Sequence, residues 1–403
     1  MAEPTVLDRL VATDRETFAA EYWGRSALLS RAADLPAPFT DLLGADAVDE
    51  LVSERGLRTP FLRVAKNGAT LSDKAFTGPG GVGAGITDQV SDTRLVELFG
   101  DGATLVLQAL HRVWPPVIAL SGGLAAELGH PVQANAYVTP PQNQGFSNHY
   151  DVHDVFVLQI DGRKRWQIHA PVLDAPLRDQ PWTDRRTAVE RRAAEEPLIE
   201  AVLEPGDCLY LPRGFLHAAT ALGGVSTHLT LGVHTWTRYA LAEQLLSQAL
   251  RTVAADAGLR GSLALGVDFA DPTTHRDDVE LVRAALVAAV ADADAEALGR
   301  ALQQADRGTR RPEPVGPLRQ LRAADALADD TLLTLRGYLA ATLDSDAGGT
   351  VLRSRAGALR LEEDAVAPVK GLLEQGSAEV GELGRDLARR LLLAGIAIVP
   401  ARS

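Results

Sequence analysis

The chain between about residue 103 and residue 236 consists of short apolar runs separated by glycine, proline and asparagine, and this pattern limits its fold more than any other feature. Runs such as 154–160 and 208–211 have the length and composition of β-strands. Many short strands with turns at regular spacing predict an antiparallel sandwich or barrel. The Asp161-Gly162 pair between the runs 154–160 and 163–169 further predicts a tight hairpin turn.

The portion after residue 236 has a helical pattern instead. Apolar residues recur at helical spacing in the segments 239–246 and 279–287. Each helix is apolar mainly on one face, which must pack on something, so we expect a self-association bundle here. Towards the end of the chain, a hairpin-like stretch around Gly348-Gly349, an amphipathic helix over 380–393 and a short strand over 395–400 predict a winged-helix module.

These patterns divide the chain into three predicted parts. Residues 1–236 hold N-terminal elements and the barrel, residues 237–311 form a helical dimerisation region, and residues 312–403 form a winged-helix-like domain. A chain of 403 residues is too long for one small core, which agrees with several units of ordinary size. The predicted fold class is therefore α+β.

Charge and composition narrow the classes of partner. There are 53 acidic and 40 basic residues, and the formal charge of -13 argues against broad attraction to nucleic acid or to an anionic membrane. A basic protein partner suits this charge better. The single cysteine, Cys208, excludes an intramolecular disulfide and a cysteine-rich zinc site. Because we find neither a signal-like N-terminus nor about 18 consecutive apolar residues, we expect a soluble, cytoplasmic protein without a membrane segment.

The residues most suited to chemistry are His149, Asp151 and His217. In an extended strand, residues two apart point to the same side, so His149 and Asp151 can converge while His217 arrives from another strand. Two imidazoles and one carboxylate form the set that holds Fe(II) on one face and leaves the other face open. His153 is a competing ligand by the same alternation, and we expect it instead as a polar residue at the pocket mouth.

An iron site of this type needs a bidentate electron donor, and 2-oxoglutarate supplies one while leaving a second carboxylate to be recognised. Lys164 is placed to recognise it if its side chain points into the barrel, because a buried ammonium needs an anionic partner. The basic run 163–165 is equally consistent with an exposed lysine.

Several motifs around these residues resemble the JmjC-type ribosomal oxygenases, which are cupin-fold, Fe(II)- and 2-oxoglutarate-dependent protein hydroxylases. The resemblance extends over nearly the whole chain and includes the order of barrel, dimerisation region and winged helix. It implies a double-stranded β-helix barrel with flanking helices. The matching segments are 18–23, 110–116, 135–146, 149–151, 156–159, 162–166 and 211–214.

The resemblance also implies roles for single residues. It makes His149, Asp151 and His217 the iron ligands, and Lys164 the partner of the distal carboxylate of 2-oxoglutarate. Further residues are implied around them: Asn135 and Tyr137 in the 2-oxoglutarate pocket, and Gln144, His153 and Gly232 as candidates for the substrate pocket.

Two of the candidates depart from the family. Related proteins often carry an acidic residue soon after the aspartate ligand, where this chain has His153, and a serine near the end of the last core strand, where it has Gly232. Neither departure touches the predicted metal set, but both can alter which side chain enters the pocket.

Three functions are consistent with these features. The first is hydroxylation of a protein side chain, and the resemblance implies an arginine or histidine of a ribosomal protein. The helical region and the resemblance together predict a homodimer, and the net negative charge predicts no direct binding of nucleic acid. The second keeps the chemistry but takes a biosynthetic peptide or a small molecule. The third is a non-catalytic module in which the winged helix recruits nucleic acid or another protein. The intact ligand set argues against the third.

Overall fold

The computed structural model describes residues 4–66 and 68–400, which form two compact units, Met1–Thr235 and Trp236–Ser403. None of the helices described is both long enough and apolar enough to cross a membrane.

The strands of the first unit are numbered in chain order. They are β1 (Leu28–Ser30), β2 (Leu62–Lys66), β3 (Ala69–Thr70), β4 (Thr77–Gly78), β5 (Gln89–Val90), β6 (Thr104–Leu107), β7 (Val132–Thr139), β8 (Asp154–His169), β9 (Ile199–Leu203), β10 (Cys208–Leu211) and β11 (Leu216–Val233).

The helices of the first unit precede β7 in the chain, apart from one in the segment between β8 and β9. They are α1 (Arg15–Thr17), which continues into a π-helical turn over Phe18–Tyr22, α2 (Ala45–Ser53), α3 (Asp92–Gly100), α4 (Leu110–Val113), α5 (Pro115–Leu128) and α6 (Arg186–Ala193).

Two long antiparallel strands, β8 and β11, organise the barrel. The first half of β8 pairs with the second half of β11, as in Leu158 with Leu229, and the remaining halves pair as in Arg165 with Thr220. The outer neighbours of the two halves differ, because β10 and β7 flank one half while β9 flanks the other. The strand pair is therefore a ribbon folded across two layers, which is the geometry of a double-stranded β-helix. The order of the main sheet is β1-β10-β8-β11-β7-β6-β2-β3.

The predicted hairpin at Asp161-Gly162 is wrong. The strand β8 continues through this pair, and its halves bond to β11 and not to each other. Gly162 has a positive φ of 63°, and the register with β11 is interrupted between Leu222 and Thr227. The Asp-Gly pair thus provides a bend in the ribbon, because glycine adopts positive φ without a steric penalty.

Apolar packing on both faces of the main sheet fixes the barrel. Inside, side chains from both halves of β8 meet those of β9 and β10, namely Val155, Val157, Trp166, Ile168, Leu203, Leu209 and Leu211. Outside, the N-terminal elements and α5 cover the sheet with a larger buried cluster. Each fully buried side chain of this size contributes about 1.5–3 kcal/mol relative to exposure. The strands of the barrel are therefore held rigidly.

The second unit begins with three helices and ends with small sheets and further helices. The helices are α7 (Arg238–Ala255), α8 (Arg276–Ala291), α9 (Ala295–Thr309), α10 (Pro317–Asp325), α11 (Glu363–Gln375), α12 (Val380–Leu383) and α13 (Arg385–Leu393). The strands are β12 (Leu332–Leu335), β13 (Thr342–Asp346), β14 (Gly349–Ser354), β15 (Gly357–Arg360), β16 (Ser377–Glu379) and β17 (Ala397–Ile398).

The helix predicted over 380–393 is broken into two. Gly384, between α12 and α13, has φ 78° and ψ 141°, and this backbone conformation lies outside the helical region. Glycine is the residue that adopts such a conformation with least strain, so the break is encoded at this position.

The bend in β8 yields a first prediction. An added Cβ at Gly162 would lie 2.0 Å from the carbonyl oxygen of Val225, whereas at Gly223 the nearest atom is 3.8 Å away. Both glycines have positive φ, so Gly223→Ala isolates the backbone strain of about 1–2 kcal/mol. We expect Gly162→Ala to lower the free energy of unfolding by about 1–3 kcal/mol more, because of the added clash.

Urea denaturation followed by tryptophan fluorescence measures this difference, since four of the five tryptophans lie in the first unit. If both variants lose the same free energy of unfolding, the close approach of Val225 does not constrain the bend.

Candidate metal centre

A pair of backbone hydrogen bonds brings two histidines together. The His149 amide donates to the carbonyl oxygen of His217 at 3.3 Å, and the His217 amide donates to that of His149 at 2.8 Å. Residues paired in this way in antiparallel strands present their side chains on the same face. The two imidazole rings accordingly lie 4.4 Å apart between centroids.

Asp151 completes the cluster. Possible ligand atoms of His149, Asp151 and His217 all lie within 4.8 Å of one another, and the Asp151 carboxylate is 3.7 Å from Nε2 of His217. In the part of the chain that the structure describes, this is the group of histidine, cysteine and acidic side chains that satisfies this spacing. Its members are the three residues proposed from the sequence.

The loop before β11 is anchored so that this arrangement is held. The Gly214 amide donates to the carbonyl oxygen of Asp151 at 3.0 Å, which ties the two ligand-bearing segments together. One residue earlier, the Arg213 amide donates to Asp154, whose buried carboxylate also accepts from the hydroxyl of Tyr210 at 2.7 Å. These bonds fix the approach of the chain to His217.

The imidazoles are oriented for a metal. Nδ1 of His149 lies 2.8 Å from the carbonyl oxygen of Ser147, and Nδ1 of His217 lies 3.1 Å from that of Phe215. A carbonyl oxygen only accepts, so these contacts assign the proton to Nδ1 and leave Nε2 with a lone pair, an orientation common in metal-binding histidines.

The protonation states agree with a metal site. Burial, together with the neighbouring His149, lowers the pKa of His217 to about 4, so its ring is neutral at neutral pH. Burial opposes ionisation of Asp151, but electrostatic interaction with the nearby imidazoles of His153, His217 and His149 outweighs it, and the pKa of Asp151 is lowered. Neutral imidazoles and an ionised carboxylate are the forms that bind a divalent metal. The donor set therefore fits Fe(II).

A cavity opens from this cluster into the barrel. Polar and apolar side chains line it together, namely Thr104, Tyr137, Gly145, Phe146, His149, Asp151, Val155, Val157, Lys164, Trp166, His217, Ala218, Ala219, His228 and Thr230. Metal cluster and Lys164 thus share one cavity.

Lys164 points inward, which resolves the ambiguity of the basic run. Its side chain is buried while Arg163 and Arg165 are exposed, as strand alternation requires. Nζ donates to Oγ1 of Thr139 at 2.9 Å and lies 3.3 Å from Nδ1 of His228. Burial lowers the pKa of Lys164 to about 7, and no carboxylate among the described residues forms a salt bridge with it. A buried ammonium with neutral neighbours is suited to binding an anion.

The two other residues predicted for this pocket differ in position. Tyr137 lines the cavity, and burial raises its pKa to about 12, so the phenol remains protonated. Asn135 is on the same face of β7 but is not part of the lining. Its Oδ1 accepts from the amide of Ala109 at 3.0 Å, where the backbone is left-handed with φ 56°. The structure thus gives Asn135 a contact that supports the start of α4.

The substrate-pocket candidates do not line the cavity either. Gln144 is exposed, and its Nε2 donates to the carbonyl oxygen of Phe146 at 2.8 Å. His153 and Gly232 are in contact with each other, because a Cβ at Gly232 would lie 2.6 Å from Cδ2 of His153. The His153 ring also stacks on His234 at 5.0 Å between centroids. The two positions at which this chain departs from the family, 153 and 232, therefore pack against each other.

Sequence reasoning missed two contributors. His228 was not singled out, but it lines the cavity beside Lys164. Thr139, which accepts from Lys164, was not singled out. Strand alternation was an available signal for Thr139, since Tyr137 and Thr139 are two residues apart on β7. His228 is brought to the same place by its pairing with Tyr137 across the sheet.

Residues 123–241 match the JmjC domain, and this range contains the metal cluster, Lys164 and His228. The fold is a double-stranded β-helix barrel, and the segment of it that carries the site is the one that matches the JmjC domain.

The sequence is similar to curated relatives over this region. It is 33% identical over 261 residues to the bifunctional lysine-specific demethylase and histidyl-hydroxylase NO66 of Drosophila mojavensis, covering 62% of this chain and 27% of that protein. It is 39% identical over 146 residues to ribosomal oxygenase 1 of Rattus norvegicus, covering 34% of this chain and 24% of that protein. The chain thus spans about a quarter of the length of these relatives.

Solved structures extend the likeness to the whole chain. The Escherichia coli ribosomal oxygenase YcfD superposes with a TM-score of 0.55 at 16% identity, covering 97% of this chain and 99% of that chain. A structure of YcfD in complex with cobalt and 2-oxoglutarate gives 0.54 at 16% identity, with coverage of 96% and 99%. At this identity the likeness shows the fold. With the curated matches, it confirms the predicted resemblance to ribosomal oxygenases.

The cluster yields a second prediction. We expect Co(II) to bind with one equivalent per chain, and His217→Ala to weaken binding by more than about 100-fold, since the loss of an inner ligand exceeds the 10- to 100-fold typical of outer partners. His153→Ala is the matched control, because His153 is the nearest competing imidazole in sequence and lies outside the cluster.

Isothermal titration calorimetry measures both affinities, and circular dichroism checks that the variants are folded. A comparable loss in the His153 variant would mean that the ligand set has been assigned wrongly.

Proposed function

We propose that this chain is an Fe(II)- and 2-oxoglutarate-dependent dioxygenase that hydroxylates an arginine or histidine side chain of a ribosomal protein. The observation that carries the proposal is a cavity lined both by the His-Asp-His cluster and by the buried Lys164, with which no carboxylate among the described residues forms a salt bridge. A chelating dicarboxylate that spans the two matches this arrangement, whereas either feature alone has simpler explanations.

His149, Asp151 and His217 would hold the metal. Fe(II) together with 2-oxoglutarate supplies the oxidising power for inserting one oxygen atom of O₂ into a C–H bond, with succinate and carbon dioxide as the co-products. The remaining tasks belong to the protein: it binds the co-substrate, excludes water and holds the target carbon near the metal.

Lys164 would bind the distal carboxylate. Its pKa of about 7 means that the ammonium is partly deprotonated in the open cavity at neutral pH. An arriving carboxylate favours the protonated form, because an opposite charge nearby raises the pKa of a lysine. The apolar walls formed by Val155, Val157 and Trp166 exclude water from this ion pair and so strengthen it.

The substrate class rests on two lines of support. Relatives in this region carry the names ribosomal oxygenase and histidyl-hydroxylase. The formal charge of -13 is also complementary to a basic ribosomal protein, and such complementarity accelerates association.

We further propose that the chain acts as a homodimer through residues 237–311. Large apolar side chains on α7 and α8 are exposed in the second unit, including Leu246, Leu250 and Val287, each more than half exposed. Exposed apolar surface of this kind is typical of subunit interfaces. Sedimentation velocity over a range of concentrations is expected to show a dimer that Leu246→Glu dissociates. A monomer at every concentration would remove this proposal.

The winged-helix-like domain at 312–403 is proposed to pack and not to bind nucleic acid. The arginines of α13 are already engaged: Arg385 pairs with Asp329 at 3.0 Å, and Arg389 with Asp325 at 3.6 Å. Arginines paired with carboxylates in this way are less available to phosphates.

The function is tested by reconstituting the protein with Fe(II) under anaerobic conditions and adding oxygen, 2-oxoglutarate and isolated ribosomal proteins. Mass spectrometry is expected to find one target that gains one oxygen, and His217→Ala is expected to abolish the gain. Succinate formed without a modified ribosomal protein would keep the chemistry and redirect the substrate to a peptide or small molecule. If no succinate forms, the dioxygenase proposal fails and a non-catalytic binding role replaces it.

A further inference from the structure

The charged end of Lys164 is held by two neutral acceptors. A lysine ammonium has three protons and no lone pair. One proton is donated to Oγ1 of Thr139 at 2.9 Å, and a second faces Nδ1 of His228 at 3.3 Å. The third proton remains for a ligand. Its direction is set by the positions of the two acceptors, because they fix the orientation of the ammonium.

The contact also fixes the chemical form of His228. Because the ammonium only donates, Nδ1 of His228 must accept, which places the ring proton on Nε2. Burial, reinforced by the charge of Lys164, lowers the pKa of His228 well below its ordinary value. The ring therefore remains neutral beside a cation.

His228 is itself held in place on several sides. Its ring stacks in parallel on Tyr137 with 4.8 Å between centroids, and meets the indole of Trp166 edge to face at 5.3 Å. In the main sheet, β11 places His228 between Tyr137 on β7 and Gln159 on β8. Only 4% of the residue is exposed, so few other ring positions are open to it.

We propose that His228 is a positioning residue for the co-substrate, which orients the Lys164 ammonium through Nδ1 so that its remaining proton meets the distal carboxylate. This inference rests on the proposed function. It assigns His228 no contact with the metal cluster, so its effect is confined to ligands that carry a distal carboxylate.

Two substitutions separate this role from general packing. His228→Asn retains an acceptor, because the amide oxygen lies near the position of Nδ1. His228→Leu keeps a similar volume and removes the acceptor. Titration calorimetry of the Co(II)-loaded protein measures the affinity for 2-oxoglutarate and for oxalate, which chelates the metal but has no distal carboxylate.

We expect His228→Leu to weaken 2-oxoglutarate binding by about ten- to hundredfold, the usual effect of losing a hydrogen bond to a charged group. Oxalate binding is expected to stay within about twofold, and His228→Asn is expected to recover most of the lost affinity. In turnover, the leucine variant raises the KM for 2-oxoglutarate and leaves kcat nearly unchanged.

Two results would overturn the inference alone: equal weakening of both ligands by His228→Leu, which indicates a structural role, or no effect on either ligand. A wild-type protein that binds Co(II) but no 2-oxoglutarate would instead overturn the proposed function, and this inference with it.

A measurement without metal or co-substrate gives a second check. Nitrogen NMR of the histidine-labelled protein, recorded about one pH unit below the pKa of Lys164 so that the ammonium is present, is expected to show an unprotonated Nδ1 for the signal that His228→Asn removes. A protonated Nδ1 at that position contradicts acceptance from Lys164 and excludes the proposed role.

Discussion

The reciprocal backbone hydrogen bonds between His149 and His217 are the interaction on which the site depends. These residues are 68 positions apart in the sequence, yet their amides and carbonyls bond as neighbours in a ladder. The ligand rings therefore face each other because of main-chain geometry. The bond from Gly214 to Asp151 adds the carboxylate to the same frame. A ligand set held in this way loses little conformational entropy when an ion arrives.

The second feature on which the site depends is the buried charge of Lys164. The barrel buries an ammonium and surrounds it with a hydroxyl, an imidazole and apolar walls, and no carboxylate in the described part of the chain pairs with it. This arrangement weakens the folded protein slightly, since desolvation of Lys164 is not offset by a carboxylate. Under the proposed function, a dicarboxylate would supply the opposite charge, and the metal cluster and Lys164 would bind its two ends.

Much of this was accessible from the sequence, and the failures have specific causes. The strand pattern predicted the barrel, and the spacing of His149, Asp151 and His217 predicted a cluster that the structure brings together. The Asp161-Gly162 pair led to a wrong prediction of a hairpin, because a glycine with positive φ occurs in a bend of a continuous strand as well as in a turn between paired strands. The contact of His228 with Lys164 joins residues 64 positions apart, and it depends on the folded register of β8 and β11, which no local pattern encodes.

The packing of His153 against Gly232 has an evolutionary consequence. A side chain at position 232 and the imidazole at position 153 compete for the same space, since the added Cβ would approach the ring to 2.6 Å. Substitutions at the two positions are therefore not independent, and the order in which they occur matters. A lineage that acquires serine at 232 first must pass through a strained intermediate, whereas one that first shortens position 153 passes through a small void. The two positions are expected to diverge together, with the change at 153 leading.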